Sequence, residues 1–279
     1  KNALVRNVTI SRGQGGSNTH TPRGASVKMT GSEIRNCRIT GATGNDGLLA
    51  QGIWCENGRV IGCVFDNNKN GAGHTVGLGI HALGRSSLID RCVFTNNNST
   101  TGFYHWDQYR IAVVAIYEGT IRNSLIAHNT YGTSSACGTG VGAIGLYGSA
   151  ATIENTVVVS NRWKSGEFVN IRGGVALENA CTVINSIIDE NYAPAGLSNH
   201  IVLNNSKVNY SATNPYEGIG ENNMLSSAGD YAFVPGGKFL LPLSSPLIGA
   251  GLNLPWMETA LDLYGGKRRV RLNVDIGCF

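Results

Sequence analysis

Ile34-Arg35-Asn36-Cys37-Arg38-Ile39 has the form aliphatic–any–Asn–small–any–aliphatic, and the chain repeats it. Ile121 to Ile126, Ile153 to Val158 and Val183 to Ile188 match closely. Val60 to Phe65 and Ile89 to Phe94 carry Gly62 and Arg91 in the Asn slot, and Val5 to Ile10 reads as an earlier copy. The small residues Cys37, Cys63, Cys92, Ser124, Thr156 and Ser186 are spaced by 26, 29, 32, 32 and 30 residues. Self-similarity in this range marks a solenoid, in which each unit buries its apolar face only against its neighbours.

The unit is built of strands. Val, Ile, Thr and Cys dominate the phrases and alternate with period two on either side of the Asn. A second short strand precedes most copies: Gly52 to Cys55, Gly79 to Ala82, Val113 to Ile116, Gly142 to Gly145 and Gly174 to Leu177. Asn tolerates the left-handed backbone region, so it suits a tight bend between strands. Stacked Asn side chains can also bond from coil to coil. Two or three short strands per turn predict an all-β right-handed parallel β-helix of about seven coils over residues 1–213. A non-repetitive tail over 214–279 is expected to pack on it.

Gly is 38 of 279 residues, charged residues are 14%, aromatics 8% and the net charge is +4. This composition suits tight turns and one solenoid. No long Lys/Arg run points to nucleic acid. No apolar run reaches the length of a membrane span. The chain opens almost directly into a repeat, and a solenoid end exposes unpaired strand edges. The expectation is therefore that an N-terminal cap or earlier coils precede Lys1.

Cys37, Cys63 and Cys92 fill one slot of three successive coils. In–out alternation makes that slot inward, so they are expected to stack as buried, reduced thiols. Cys137, Cys181 and Cys278 leave one disulfide open as an expectation. The outward slot after each small residue holds Arg38, Val64, Val93, Leu125, Val157 and Ile187. Five aliphatic residues in a row on a nominally wet face call for a cover. The tail after Pro215 is the expected cover, and another chain is the alternative.

The tail contains Ser245-Pro246-Leu247-Ile248-Gly249-Ala250-Gly251, then Asp262-Leu263-Tyr264-Gly265-Gly266-Lys267-Arg268, then Val274-Asp275-Ile276-Gly277-Cys278-Phe279. These segments resemble the C-terminal SPxIxxG, DxxGxxR and DIG signature of bacterial secreted right-handed β-helix proteins of the pectate-lyase-like superfamily. The resemblance implies an extracellular or cell-surface location. Members include lyases, adhesin-like surface proteins and others, so it implies no single activity. Tyr264 stands where Asp is usual in the turn, which removes motif support for calcium. No cofactor is expected.

Loops of variable length follow each phrase and should stack into a wall along one edge, where solenoids place binding surfaces. The richest holds Tyr104, His105, Trp106, Asp107, Tyr109 and Arg110; another holds Trp163 and Lys164. The adjoining strand face should present Trp54, His81 and Tyr117 as the floor of a groove, with Glu56, Glu118 and Tyr147 beside them. Aromatic faces suit sugar rings. The ligand-binding expectation is therefore Trp54, His81, Tyr104, Trp106, Tyr109, Tyr117 and Trp163, with a polysaccharide or cell-surface glycan as partner. Self-association and flanking domains of the same polypeptide are further partners. His105, Asp107, Arg110 and Lys164 are the catalytic candidates of an alternative reading, a polysaccharide lyase or glycoside hydrolase. A hydrolase needs two carboxylates at a defined separation, and Asp46, Glu56, Asp107, Glu118 and Glu167 are scattered. The favoured expectation is an extracellular module of a larger secreted or surface protein, structural or adhesin-like.

Overall fold

The computed structural model describes residues 3–11, 26–44, 52–70, 77–99, 112–131, 143–163, 173–177, 179–193, 201–203, 205–214, 220–227, 229–234, 238–270 and 272–279. They form a β-solenoid whose walls are parallel sheets of eight, five, seven and nine strands. Each complete coil visits the seven-strand, eight-strand, nine-strand and five-strand sheets in that order. The second complete coil shows the pattern: Ile53–Glu56, Arg59–Ile61, Val64–Asp66, Lys69–Asn70. Among the described residues five coils have all four strands, with partial coils at both ends. The expected seven coils thus become five complete ones, and each has four strands rather than two or three.

Register follows the phrase. Val5 pairs with Ile34, Ile34 with Val60, Val60 with Ile89 and Ile89 with Ile121. The Asn slot is left-handed throughout: φ is 51° at Asn36, 62° at Gly62, 54° at Arg91 and 48° at Asn123. Asn and Gly bear this conformation easily, and Arg91 adopts it at some strain.

The next slot points inward, as the alternation predicts. Cys37, Cys63 and Cys92 are buried and free. The slot is also a hydrogen-bonded column. Cys37 Sγ donates to Arg35 O, Ser124 Oγ to Arg122 O, and Ser186 Oγ to Ile184 O. Backbone N–H groups donate along the axis, from Cys37 to Cys63 Sγ and from Cys92 to Ser124 Oγ. A small hydroxyl or thiol is wanted here because it satisfies the backbone at a sharp corner that has no room for a larger group.

Five residues beyond the small slot lies a second column that sequence reasoning did not single out: Asn68, Asn97, Asn129, Asn161 and Asn191, all buried. Each amide oxygen from Asn97 onward accepts both the N–H and the Nδ2 of the Asn one coil before, or their counterparts, at 2.9–3.2 Å. Each Nδ2 also donates to a neighbouring coil's carbonyl, as Asn129 does to Phe94 O at 3.0 Å. By contrast, among the phrase Asn residues only Asn185 to Asn155, at 3.3 Å, bonds directly from coil to coil in the expected way.

The tail covers four of the five residues of the outward aliphatic row; Val64, expected under the same cover, is half-buried and lies outside the cluster. Leu125, Val157 and Ile187 join Tyr231, Phe239, Leu247, Ile276 and Cys278 in one buried cluster, with Val93 at its margin. Upstream the same sheet turns polar, with Arg38 held to Asp66 at 2.5 Å. The tail adds Met224–Leu225 to the nine-strand sheet and an antiparallel hairpin, Ala232–Val234 with Lys238–Leu240.

The three tail motifs lock onto one another. Asp275 Oδ1 accepts from Gly249 N at 2.8 Å. Buried Arg268 donates to the carbonyls of Asp275, Gly277 and Phe279. Asp262 Oδ1 accepts from Tyr264 N and Gly266 N, closing the turn on itself. Tyr264 Oη accepts from Phe239 N and donates to Phe239 O, so it ties the turn to the hairpin.

A disulfide between Cys181 and Cys278 is ruled out: both are free, one in the solenoid core and one in the tail cluster. Cys137 lies outside the described residues.

Candidate functional site

The seven-strand sheet carries the aromatic face. Ile53 and Cys55, Ile80 and Ala82, Val114 and Ile116, Ile144 and Leu146 point into the core. Alternation therefore turns Lys28, Trp54, His81, Ala115 and Gly145 outward in one row, in register from coil to coil. Tyr117 and Tyr147 extend the row by leaning over its small members. They pack with Ala112, Ala115 and Ala176. Gly145 is required for this, because a Cβ there would meet Tyr147 Oη at 1.9 Å.

The result is a ladder along the solenoid axis. Ring centroids are 4.7 Å apart from Trp54 to His81, 5.2 Å from His81 to Tyr117 and 5.3 Å from Tyr117 to Tyr147. The Lys28 ammonium lies 5.9 Å from the Trp54 ring at one end. His81 and Tyr147 are buried, while Trp54 and Tyr117 keep part of their faces open. The structure thus brings together Trp54, His81, Tyr117 and Tyr147 on one face as the sequence predicts, and adds Lys28.

Trp163 is a correction. It lies in the solenoid core at 2% exposure and cannot form a groove wall. Arg162–Trp163 is a two-residue strand of the five-strand sheet. Its alternation sends Arg162 outward, 4.8 Å from the Tyr192 ring, and the indole inward. Tyr104, His105, Trp106, Asp107, Tyr109, Arg110 and Lys164 lie outside the described residues, as do Asp46 and Glu167.

The described carboxylates beside the ladder have partners. Glu56 accepts from the Thr30 hydroxyl at 3.3 Å, and Glu118 lies 3.6 Å from Arg85 Nε. Another charged group, on the eight-strand sheet, was not anticipated. Asp90, Arg122 and Glu154 follow one another in register, and Arg122 Nε donates to Asp90 Oδ1 at 3.2 Å. Burial holds the Glu154 carboxyl above its ordinary range, and Arg122 pulls it part of the way back. The Trp256 ring of the tail lies 4.2 Å from the Arg122 guanidinium carbon. The guanidinium and the ring occupy the coil between the two carboxylates, so the group fastens the tail and is not an open site. Its only sequence signal was that Asp90, Arg122 and Glu154 share one slot of the repeat.

Among the described residues no three His, Cys, Asp or Glu side chains converge as metal ligands would. No helix there is long and apolar enough to cross a membrane. The fold defines the class: a parallel β-solenoid with its tail packed on one wall. The chain matches no family model, and comparisons with curated proteins and with solved structures give no match.

Proposed function

We propose that this chain is a non-catalytic β-helix module of a secreted or surface protein, and that it docks an extended glycan along the seven-strand sheet. The observation that carries this reading is the aromatic ladder Trp54–His81–Tyr117–Tyr147, which advances one ring per coil. Sugar rings stack on aromatic faces and hydrogen-bond at their rims. The open faces of Trp54 and Tyr117 are the contacts, and His81 and Tyr147 hold them in place. The engagement of Glu56 with Thr30 and of Glu118 with Arg85 favours binding over hydrolysis. The tail's likeness to pectate-lyase-like β-helix proteins supports the secreted setting and a glycan partner.

A glycan array of neutral and acidic polysaccharides tests the reading, run beside an ultraviolet assay for unsaturated uronate and a reducing-sugar assay. Binding lost in Trp54→Ala and Tyr117→Ala, with no turnover in the parent, is the expected result. Turnover abolished by His105→Ala or Arg110→Ala would replace it with the lyase or hydrolase reading. Neither binding nor turnover would leave a purely structural module.

A further inference from the structure

The aromatic ladder alternates between open and closed rungs. Trp54 and Tyr117 keep part of their rings open, while His81 between them and Tyr147 beyond are buried. The rungs follow one another coil by coil, with centroids 4.7 Å apart from Trp54 to His81 and 5.2 Å from His81 to Tyr117. The two open rings are therefore two coils apart, about 10 Å at the spacing of paired strands. The strands beneath them are in register, Trp54 with His81, His81 with Ala115 and Ala115 with Gly145, so the floor runs straight along the axis.

Charge beside the ladder is balanced. Lys28 lies 5.9 Å from the Trp54 ring. Glu56 accepts from the Thr30 hydroxyl, and Glu118 lies 3.6 Å from Arg85 Nε. Among the described residues these two cations stand against these two carboxylates. A ligand with an acid on every residue would need a cation on every coil, and the described floor does not supply one.

We infer that the ladder takes an uncharged hexopyranose chain joined through equatorial bonds, and that it stacks every second ring of that chain. One ring lies on Trp54 and the next but one on Tyr117. This rests on the glycan-binding reading of the same face and adds the class of glycan to it. Successive rings of such a chain are rotated by half a turn, which makes the chain a straight ribbon. The same ring face then recurs at every second residue, and two residues match two coils. The apolar ring faces stack on the open aromatic faces. The ring between them passes over His81, which is buried. A chain joined through axial bonds curves, so it leaves a straight floor after one contact.

The test is calorimetric titration of the full chain with cellobiose, cellotriose and cellopentaose, beside maltopentaose and penta-galacturonate. Cellotriose is expected to bind about tenfold more tightly than cellobiose, because three rings are needed to reach both Trp54 and Tyr117. Cellopentaose should bind at least about tenfold more tightly than maltopentaose or penta-galacturonate. Both comparisons are read on the parent chain and depend on no variant folding. Trp54→Ala should abolish the step from two rings to three, and Trp54→Phe, which keeps an aromatic face, should retain most of it. Equal affinity for cellobiose and cellotriose overturns the inference. So does tighter binding of maltopentaose or penta-galacturonate; where Trp54→Ala abolishes that binding, the glycan-binding reading stands without this glycan class. No binding of any of these sugars, nor of any glycan on the array, overturns both.

Discussion

Asn185 holds Leu252 by both ends of its amide: Oδ1 accepts from Leu252 N and Nδ2 donates to Leu252 O, each at 2.7 Å. The side chain thereby imitates a strand neighbour for a tail segment 67 residues away. Its neighbours in the same corner row do the same work. Asn155 Nδ2 donates to Asp275 O and Asn123 Nδ2 to Leu261 O. The corner Asn thus has two uses, a left-handed backbone and a tail anchor, and the second applies only along the coils that the tail covers.

Asn185→Ala should separate these uses when compared with Asn185→Gly. Both lose the two bonds to Leu252, at roughly 1 kcal/mol each with a further cost for groups left unpaired. Ala must also hold φ near 52°, which adds about 1 kcal/mol of strain that Gly avoids. Urea titration should therefore rank parent, Gly variant and Ala variant in falling stability, with the Ala variant about 3 kcal/mol below the parent. Equal stability of the two variants would show that the backbone conformation contributes nothing. A tail that resists protease equally in all three would show that Asn185 is not its anchor.

Much of the fold was legible because one phrase encodes register, corner and facing together. Cys37, Cys63 and Cys92 could be placed inside, and Val93, Leu125, Val157 and Ile187 under a cover, from period-two alternation alone. The same alternation located Trp54, His81 and Tyr117. Trp163 was misread because a two-residue strand is too short to display a period. The buried Asn column was missed for a related reason. Asn68, Asn97, Asn129 and Asn161 stand beside variable loops, where Asn ordinarily signals a turn. Their burial depends on partners one coil away, and only their constant offset of five residues from the small slot could have revealed them.

The thiols give a direct check on the core. All six described cysteines are buried and free. Burial pushes the Cys55 and Cys181 thiols up to about 11 and Cys278 up to about 12. The thiolate is the reactive form. The Cys63 thiol is instead pulled down by its hydrogen bond with Cys92, but burial denies a reagent access to all six, so a maleimide at neutral pH should label none of them in the native protein and all of them in urea. The seventh cysteine of the chain, Cys137, lies outside the described residues. Rapid modification of two or more, mapped by mass spectrometry, would contradict the inward assignment.

Glu154 sets a pH dependence of definite sign. Burial, the largest influence, raises its folded-state value above the ordinary 4.5, against the pull of Arg122. Between 4.5 and the raised value the folded chain keeps a proton that the unfolded chain has released. Stability from this group is thus fully present at low pH and falls as pH rises through that window. Glu154→Gln should remove the fall. The variant should be more stable than the parent near neutral pH and no more stable below pH about 4.5. A variant weaker than the parent at neutral pH would mean that attraction to Arg122 outweighs the desolvation cost.

Asn129 should be the costliest of these positions. It is fully buried at the middle of the column, with two Asn before it and two after. Its Nδ2 donates to Phe94 O, Ala127 O and Asn161 Oδ1, and its Oδ1 accepts from Asn97 N and Asn97 Nδ2. Truncation to Ala strands donors and acceptors on three consecutive coils where water has no direct access, and each buried unpaired group costs about 1–3 kcal/mol. The expected loss is roughly 4 kcal/mol, a large fraction of the stability of an ordinary domain. Asn129→Asp separates hydrogen bonding from size. It keeps the acceptor and the shape but replaces the donor with a buried charge beside the Phe94 and Ala127 carbonyls, so it should be at least as damaging as Ala. Asn191→Ala provides the comparison. It sits at the last described rung, where its Nδ2 still donates to Val158 O and its Oδ1 still accepts from Asn161. It should cost less because fewer groups are left unpaired. Urea titrations of the three variants should therefore place Asn191→Ala nearest the parent. If Asn129→Ala falls within about 1 kcal/mol of the parent, the column is not what couples one coil to the next.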